Sequence, residues 1–218
     1  MQTQLISLTK PAMPDIEDFT AEELIVYTAR ASNPSNQMNT ATAADLLGYC
    51  IRNKHWSPFE MANMCVEIKT SRAIAAQILR HRSFSFQEFS QRYAEVTKIE
   101  PVQLRLQAEK NRQSSTEEIN NGYLNSLVED TIQHCERAYA TLLNEGIARE
   151  CARMVLPMTT QTTMYMNGTI RSWIHYLQQR CDEHAQLEHQ DIAREIQQIF
   201  IHEFPEISKA LGWRKYGL

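Results

Sequence analysis

Two hydrophobic periods run through the chain. Over residues 62–70, Met64, Val66 and Ile68 alternate with Cys65, Glu67 and Lys69. A period of two predicts a strand with one buried face. Residues 2–9 show a looser version through Leu5, Ile6 and Leu8, ended by Pro11 and Pro14. Residues 99–106 alternate at Val102, Leu104 and Leu106, and the threonine-rich stretch 158–168 reads as extended, with Asn167-Gly168 as a turn signal.

Elsewhere the period lengthens towards that of a helix. A helix over 21–30 carries Leu24, Ile25 and Ala29 and can be capped by Asp18 or Thr20. Residues 32–36 read as a loop, and Thr42 or Thr40 opens a second helix with Leu46, Leu47 and Cys50. Ser71 can cap a helix through 79, with Ile74 and Ile78 one turn apart. Residues 107–115 are polar and expected to be mobile. Ser115 or Thr116, with Glu118 close behind, predicts the start of a long helix to about 143, ended by Gly146. A shorter helix over 147–156 stops at Pro157. Ile170, Ile174 and Leu177 mark another, with Trp173 and Tyr176 read as simple core. The last runs from about 187 to 204 and is interrupted by Pro205. The tail from 212 to 218 is expected to be loose. The sum is a mixed α/β (α+β) fold, a small sheet among several helices.

Composition narrows this picture. The chain has 218 residues, enough for a sizeable core, and with no linker or repeat it reads as one domain over 1–218. At a formal net charge of -4 it has no global basic field, so nucleic acid is not an expected partner. No apolar run reaches the ~20 residues that span a bilayer. The first ten residues do not have the pattern of a signal peptide. The expectation is a soluble protein of the cytoplasm, with no membrane partner. Cys50, Cys65, Cys135, Cys151 and Cys181 are odd in number and lack CxxC spacing, which argues against a disulfide framework or zinc ribbon. His184 and His189 are five apart, ~140° around a helix, and do not make the i, i+4 pair of a metal hydrolase. No metal site is expected.

The densest chemistry lies between Arg80 and Tyr93: Arg80, His81, Arg82, Ser83, Glu88, Ser90 and Arg92, interleaved with Phe84, Phe86 and Phe89. Guanidinium forks match phosphate oxygens two at a time, although a charge run usually faces water. A second cluster, His55-Trp56-Ser57-Pro58-Phe59-Glu60, puts an imidazole, a hydroxyl and a carboxylate on a turn that Pro58 fixes. Arg171 and His175 share one helix face. Arg180 lies about half a turn round and should serve a different ligand, or a different part of one site. There is no GxGxxG and no glycine-rich phosphate loop.

These segments resemble the flavin-dependent thymidylate synthases. The family signature is Arg-His-Arg, seven residues, then Ser, any residue, Arg; Arg80, His81, Arg82, Ser90 and Arg92 fill it. The family's His-x-Ser/Thr-Pro-Phe-Glu segment, about twenty residues earlier, is matched by residues 55–60. Residues 152–157, Arg171-Ser172 and the run Arg180-Cys181-Asp182-Glu183-His184-Ala185-Gln186 also match. The chain departs from the pattern at Met61, where His is usual, and at Gln87, where Asn is frequent.

The resemblance implies an α/β homotetramer whose active sites draw on several subunits. It implies reductive methylation of dUMP to dTMP, with 5,10-methylenetetrahydrofolate as carbon donor and NADPH reducing a bound FAD. A related flavin enzyme acting on another pyrimidine deoxynucleotide would carry nearly the same motifs. By the same resemblance Ser57, Glu60, Arg80, His81, Arg82, Ser83, Glu88, Arg171, His175 and His184 fall on the FAD side. Asn167 or Thr169 belongs there too, and Ser32 is a weaker candidate. Gln77, Arg80, Glu88, Phe89, Ser90, Gln91, Arg92, Arg153 and Arg180 fall on the dUMP side. Arg180 matches the residue that activates dUMP, and His55 is a candidate proton shuttle or folate contact.

Overall fold

The computed structural model describes residues 1–96 and 98–214. Its centre is an antiparallel sheet of four strands in the order β1-β2-β6-β3: β1 (Gln2–Leu8), β2 (Asn63–Ser71), β6 (Gln161–Thr169) and β3 (Ser85–Glu88). The strand expected over 62–70 is β2, and its alternation is the burial pattern: Met64, Val66 and Ile68 are fully buried. Met164 and Met166 of β6 are buried too. The other face is polar. There Tyr165 Oη donates to Glu67 Oε2 at 2.8 Å.

Helices close the buried face. α6 (Ile170–Arg180) follows β6 directly and buries Trp173, Ile174, Tyr176 and Leu177; α7 (Leu187–Glu203) buries Ile192, Ala193, Ile196 and Phe200. Thr169 turns the chain from strand to helix, its hydroxyl accepting from the Ser172 amide at 3.2 Å. α3 (Arg72–Ile78) leaves β2 in the same way, with Ser71 accepting from Ile74 N at 3.3 Å. α1 (Ala21–Ala29) starts at Thr20, the second of the two expected caps, in a full capping box with Glu23. α2 (Ala43–Arg52) packs against α8 (Pro205–Ala210). Pro205, expected only as an interruption, is the first residue of α8, where its missing N–H costs nothing.

Several expectations fail here for local reasons. Asn167-Gly168 is not a turn: both residues lie in β6, paired with Cys65 and Met64. Gly168 is there because a Cβ would come within 2.4 Å of the Phe84 ring, which itself meets Trp173 edge-on at 4.8 Å. The long helix does not start at 115. Ser115–Glu118 is β5, paired with β4 (Arg105–Gln107), and α4 (Gly122–Asn144) begins after Asn121, which accepts from Tyr123 N and Leu124 N. The bond from Arg105 Nε to Ser115 Oγ at 2.9 Å ties the hairpin across its strands, and the Asn-Gly step supplies a better cap than Ser115. The strand expected over 99–106 is reduced to β4 and an isolated bridge from Ile99 to Thr160, since Pro101 interrupts any ladder. The polar stretch 107–115 is the closed tip of that hairpin, with Ala108 N donating to Ser114 O. The helix expected over 147–156 is the short α5 (Arg149–Ala152) and a 3-10 turn, Arg153–Val155. In the tail, Trp213 packs on Phe200; residues 215–218 lie outside the described residues.

Candidate active site

The expected site residues fall into three groups, two of them divided by α6. On one side lies a cavity of about 430 Å³ lined by Trp56, Glu60, Ser83, Arg171, His175 and Gln178, among others. A 3-10 turn, Ser57–Glu60, carries Glu60 to this cavity and is anchored by Phe59, fully buried beneath Trp56. Arg171 Nη1 meets Glu60 Oε1 at 2.5 Å across the mouth, both side chains being well exposed. Ser172 Oγ donates to the Ser83 carbonyl at 3.2 Å, which ties the signature segment to α6.

On the other side Arg180 turns back to the signature. Its Nε donates to His81 Nε2 at 2.9 Å. Burial pushes the His81 pKa down to about 4, and the Arg180 guanidinium adds to this, then His175 and Arg80. A neutral imidazole is what the contact needs, because a protonated ring has no lone pair to accept with. His81 thus fixes the Nε edge of the guanidinium and leaves its terminal nitrogens for a ligand. Gln77, one turn before His81, donates from Nε2 to Gln186 Oε1 at 2.6 Å. Arg80 and Arg82 are exposed at the turn after α3.

The third group follows β3. Glu88 Oε1 accepts from Arg72 Nη1 at 2.5 Å and from the Thr162 hydroxyl at 2.9 Å, so Oε1 is occupied from within the chain. Phe89 and Ser90 are exposed, and Arg92 Nη2 pairs with Glu150 Oε2 at 3.3 Å. Arg149 Nη2 meets Glu95 at 2.9 Å, so the segment after Ser90 is held against α5 and the turn bearing Arg153. Gln91 Nε2 and Arg153 Nε are buried without a hydrogen-bond partner. Two buried donors left unpaired are costly, and an anionic or carbonyl-bearing ligand would satisfy them.

Other expected residues sit apart from these groups. His55 is exposed, its ring edge-on to Tyr49. Ser57 is exposed on the same turn as Glu60 but does not line the cavity. Asn167 is exposed on the polar sheet face, whereas Thr169 is spent on capping α6. His184 is exposed in the bend after α6, near Asp182. Ser32 is exposed in the loop that Arg30 holds through the carbonyls of Asn36 and Asn39. Among the described residues no cluster of three or more His, Cys, Asp or Glu could hold a metal, and no helix is long and apolar enough to cross a membrane. Arg72, the polar role of Tyr176, and His189 do not stand out in the sequence. The visible signal for His189 was a lone imidazole on the apolar face that Ile192 and Ile196 continue.

Comparisons with known proteins identify the family. The family model described as thymidylate synthase complementing protein matches residues 16–206. A probable flavin-dependent thymidylate synthase of Paramecium bursaria Chlorella virus 1 is 52% identical over 217 residues, 98% of this chain and 100% of that protein. The flavin-dependent thymidylate synthase of Synechocystis sp. is 46% identical over the same coverage, 98% and 100%. In fold, the chain is similar to a UMP/dUMP methylase from Streptomyces cacaoi bound with 5-Br dUMP, with a TM-score of 0.78 at 23% identity over 97% of this chain and 94% of that one. The chain belongs to the thymidylate synthase complementing protein family, in company with the flavin-dependent thymidylate synthases.

Proposed function

We propose that the chain is a flavin-dependent thymidylate synthase that methylates dUMP reductively to dTMP. In this reading FAD is the resident cofactor, NADPH the reductant and 5,10-methylenetetrahydrofolate the carbon donor. The observation that carries the reading is Arg180 held by neutral His81 beside a separate cavity on the far side of α6.

The cavity suits part of a flavin: its volume lies within the ~300–1,000 Å³ of small-molecule sites. Trp56 offers a flat apolar face, and Arg171, Ser83 and His175 offer hydrogen bonds. The Glu60–Arg171 pair must open or share its guanidinium when the cavity fills. Bound flavin supplies the hydride. Arg180 stabilises negative charge as it develops on the uracil carbonyl side, a fixed donor that needs no reorganisation. Gln91 and Arg153 bind the nucleotide through their buried N–H groups, with Arg92 as a phosphate or sugar clamp. Ser90 has no adjacent base to make it a nucleophile, and none is needed when the cofactor carries the hard chemistry.

The homotetramer belongs to the same reading. The three groups of residues do not close around one ligand within a single chain, and α4 carries an apolar stripe that its own chain leaves half covered.

The test is the visible spectrum of the purified protein under anaerobic conditions. NADPH should bleach the flavin bands, and dUMP with methylenetetrahydrofolate should restore them as dTMP appears. Reoxidation without dTMP would move the reading to another pyrimidine nucleotide. Failure to bind added FAD would sink it.

A further inference from the structure

A run of hydrogen bonds starts in the core at Tyr176 and ends at the part-buried pair of Glu188 and Arg105. Tyr176 Oη lies 3.0 Å from His189 Nε2, and both residues are fully buried. His189 Nδ1 lies 3.3 Å from Gln77 Oε1. Gln77 Nε2 donates to Gln186 Oε1 at 2.6 Å, and Gln186 Nε2 donates to Glu188 Oε2 at 2.9 Å. Glu188 Oε1 accepts from Arg105 Nη2 at 2.6 Å.

The far end sets the direction of the whole run. An ionised carboxylate only accepts. Burial pushes the Glu188 pKa up, but the hydrogen bond from Arg105, with further donors behind it, outweighs burial and leaves it lowered. Gln186 must therefore turn its N–H to Glu188 and its oxygen to Gln77. Gln77 then turns its N–H to Gln186 and its oxygen to His189. An oxygen there requires the proton on His189 Nδ1, so Nε2 is the acceptor for the Tyr176 hydroxyl. The reverse assignment would face the Gln186 oxygen against the carboxylate. Burial suits this arrangement: it pushes the His189 pKa down to about 3, assisted by Arg180 and His81, and pushes the Tyr176 pKa up. His189 stays neutral and Tyr176 keeps its proton.

Gln77 is left with a defined polarity. Its oxygen is engaged by His189 and one N–H by Gln186, so the second N–H remains to be given. We propose that His189 is a positioning residue that fixes Gln77 as a hydrogen-bond donor to an acceptor oxygen of the bound pyrimidine nucleotide. This rests on the reading that Gln77 lies on the dUMP side. The same short segment carries His81, which aims Arg180, so the donor and the guanidinium are set against one rigid wall.

The experiment compares flavin-loaded wild type with His189→Leu, His189→Gln and Tyr176→Phe. The dUMP affinity is read from the nucleotide-induced change in the flavin spectrum, alongside KM and kcat. His189→Leu should weaken dUMP binding and raise KM by about five- to tenfold, the scale of one oriented hydrogen bond, with kcat within about twofold and flavin content unchanged. His189→Gln can donate to Gln77 and accept from Tyr176, and should recover most of the affinity. Tyr176→Phe, which removes only the hydroxyl, should shift affinity the same way by less. Unchanged dUMP affinity in a folded His189→Leu overturns the inference, as does a loss of kcat without a change in affinity. Should His189→Leu not fold, unchanged affinity in Tyr176→Phe overturns it instead. Nitrogen-15 shifts of the wild-type imidazole give a check independent of turnover: a proton on Nε2 rather than Nδ1 overturns the polarity. Wild type that binds flavin but not dUMP overturns the reading beneath the inference, which is a different result from wild type that binds dUMP no better than His189→Leu.

Discussion

Helices α6 and α4 both begin on a side-chain cap, and they end up in opposite circumstances. α6 has eleven residues and buries five of them, Ile170, Trp173, Ile174, Tyr176 and Leu177. α4 has twenty-three residues and buries only Tyr139. Its apolar stripe, Leu124, Val128, Ile132 and Cys135, is half exposed, and Val128 and Ile132 line a cavity of about 480 Å³ opposite Val102, Leu104 and Ile119. Helices in proteins draw most of their stability from packing an apolar face. The wall that holds the candidate chemistry is thus completed by its own chain, whereas the stripe of α4 is left half covered by it. A second copy is the occupant that the proposed homotetramer provides.

The largest effect that would sharpen this contrast is on α6. Arg180→Ala removes a fixed cation without touching the buried stripe. It should leave folding and flavin content near wild type and lower methyl transfer by roughly 10²–10³-fold or more, the scale of losing one preorganised donor. Loss of flavin with normal turnover per remaining flavin would put Arg180 on the cofactor instead.

A smaller effect tests how tightly the wall is closed. Gly168→Ala would place a Cβ within 2.4 Å of the Phe84 ring, which cannot retreat because it packs on Trp173 and Tyr176. Overpacking of this kind costs about 1–3 kcal/mol. The expected result is a clear fall in the denaturant midpoint at unchanged slope. An unshifted midpoint would mean that the aromatic cluster gives way easily.

The wall should also respond to acid. His81 is pushed down to about 4 and His189 to about 3 by burial, with Arg180 adding to both, against an ordinary value of 6.5. In the unfolded chain both take up protons as the pH falls through about 6.5. In the folded chain they stay neutral, so the unfolded state binds more protons across the window from 6.5 to 4 and stability falls as pH falls. Glu22 opposes this. Burial raises its pKa to about 7, even as Ile207 and Glu206 amides donate to it, so its stabilising proton is lost as pH rises through 7. With two histidines against one carboxyl, the urea midpoint should be lower at pH 5 than at pH 6.5. A higher midpoint at pH 5 would contradict the buried neutral pair.

How much of this was legible in the sequence follows the same divide. The period-two run at Met64, Val66 and Ile68, the Ser71 cap and the Ile170–Leu177 stripe specify their elements locally, and each was read correctly. The role of Gly168 is hidden in the sequence because its reason is the Phe84 ring, more than eighty positions away. The start of α4 is hidden because Ser115 carries a capping signature that a cross-strand partner at Gln107 overrides. Arg171 and Arg180 contact different side chains, Glu60 and His81. The polarity of Gln77 is not legible, since it depends on His189 meeting it from α7 and on Gln186, which Glu188 orients in turn.

The smallest effect decides what covers α4. Asn121 caps it by accepting from Tyr123 N at 3.1 Å and Leu124 N at 3.2 Å. Asn121→Ala should cost about 1 kcal/mol in either setting, but where that cost is felt differs. A helix standing free in solution frays by itself. Exchange of the first-turn amides would then speed up roughly fivefold, and the melting temperature would hold steady at every protein concentration. A helix packed on a second copy passes the cost to the interface, because order at the first turn and docking of Leu124 become one equilibrium. The melting temperature would then fall, and fall further on dilution, as mass action requires of an assembly. The second outcome is the expected one. The first would break the comparison, leaving α4 a long polar arm whose stripe needs no partner.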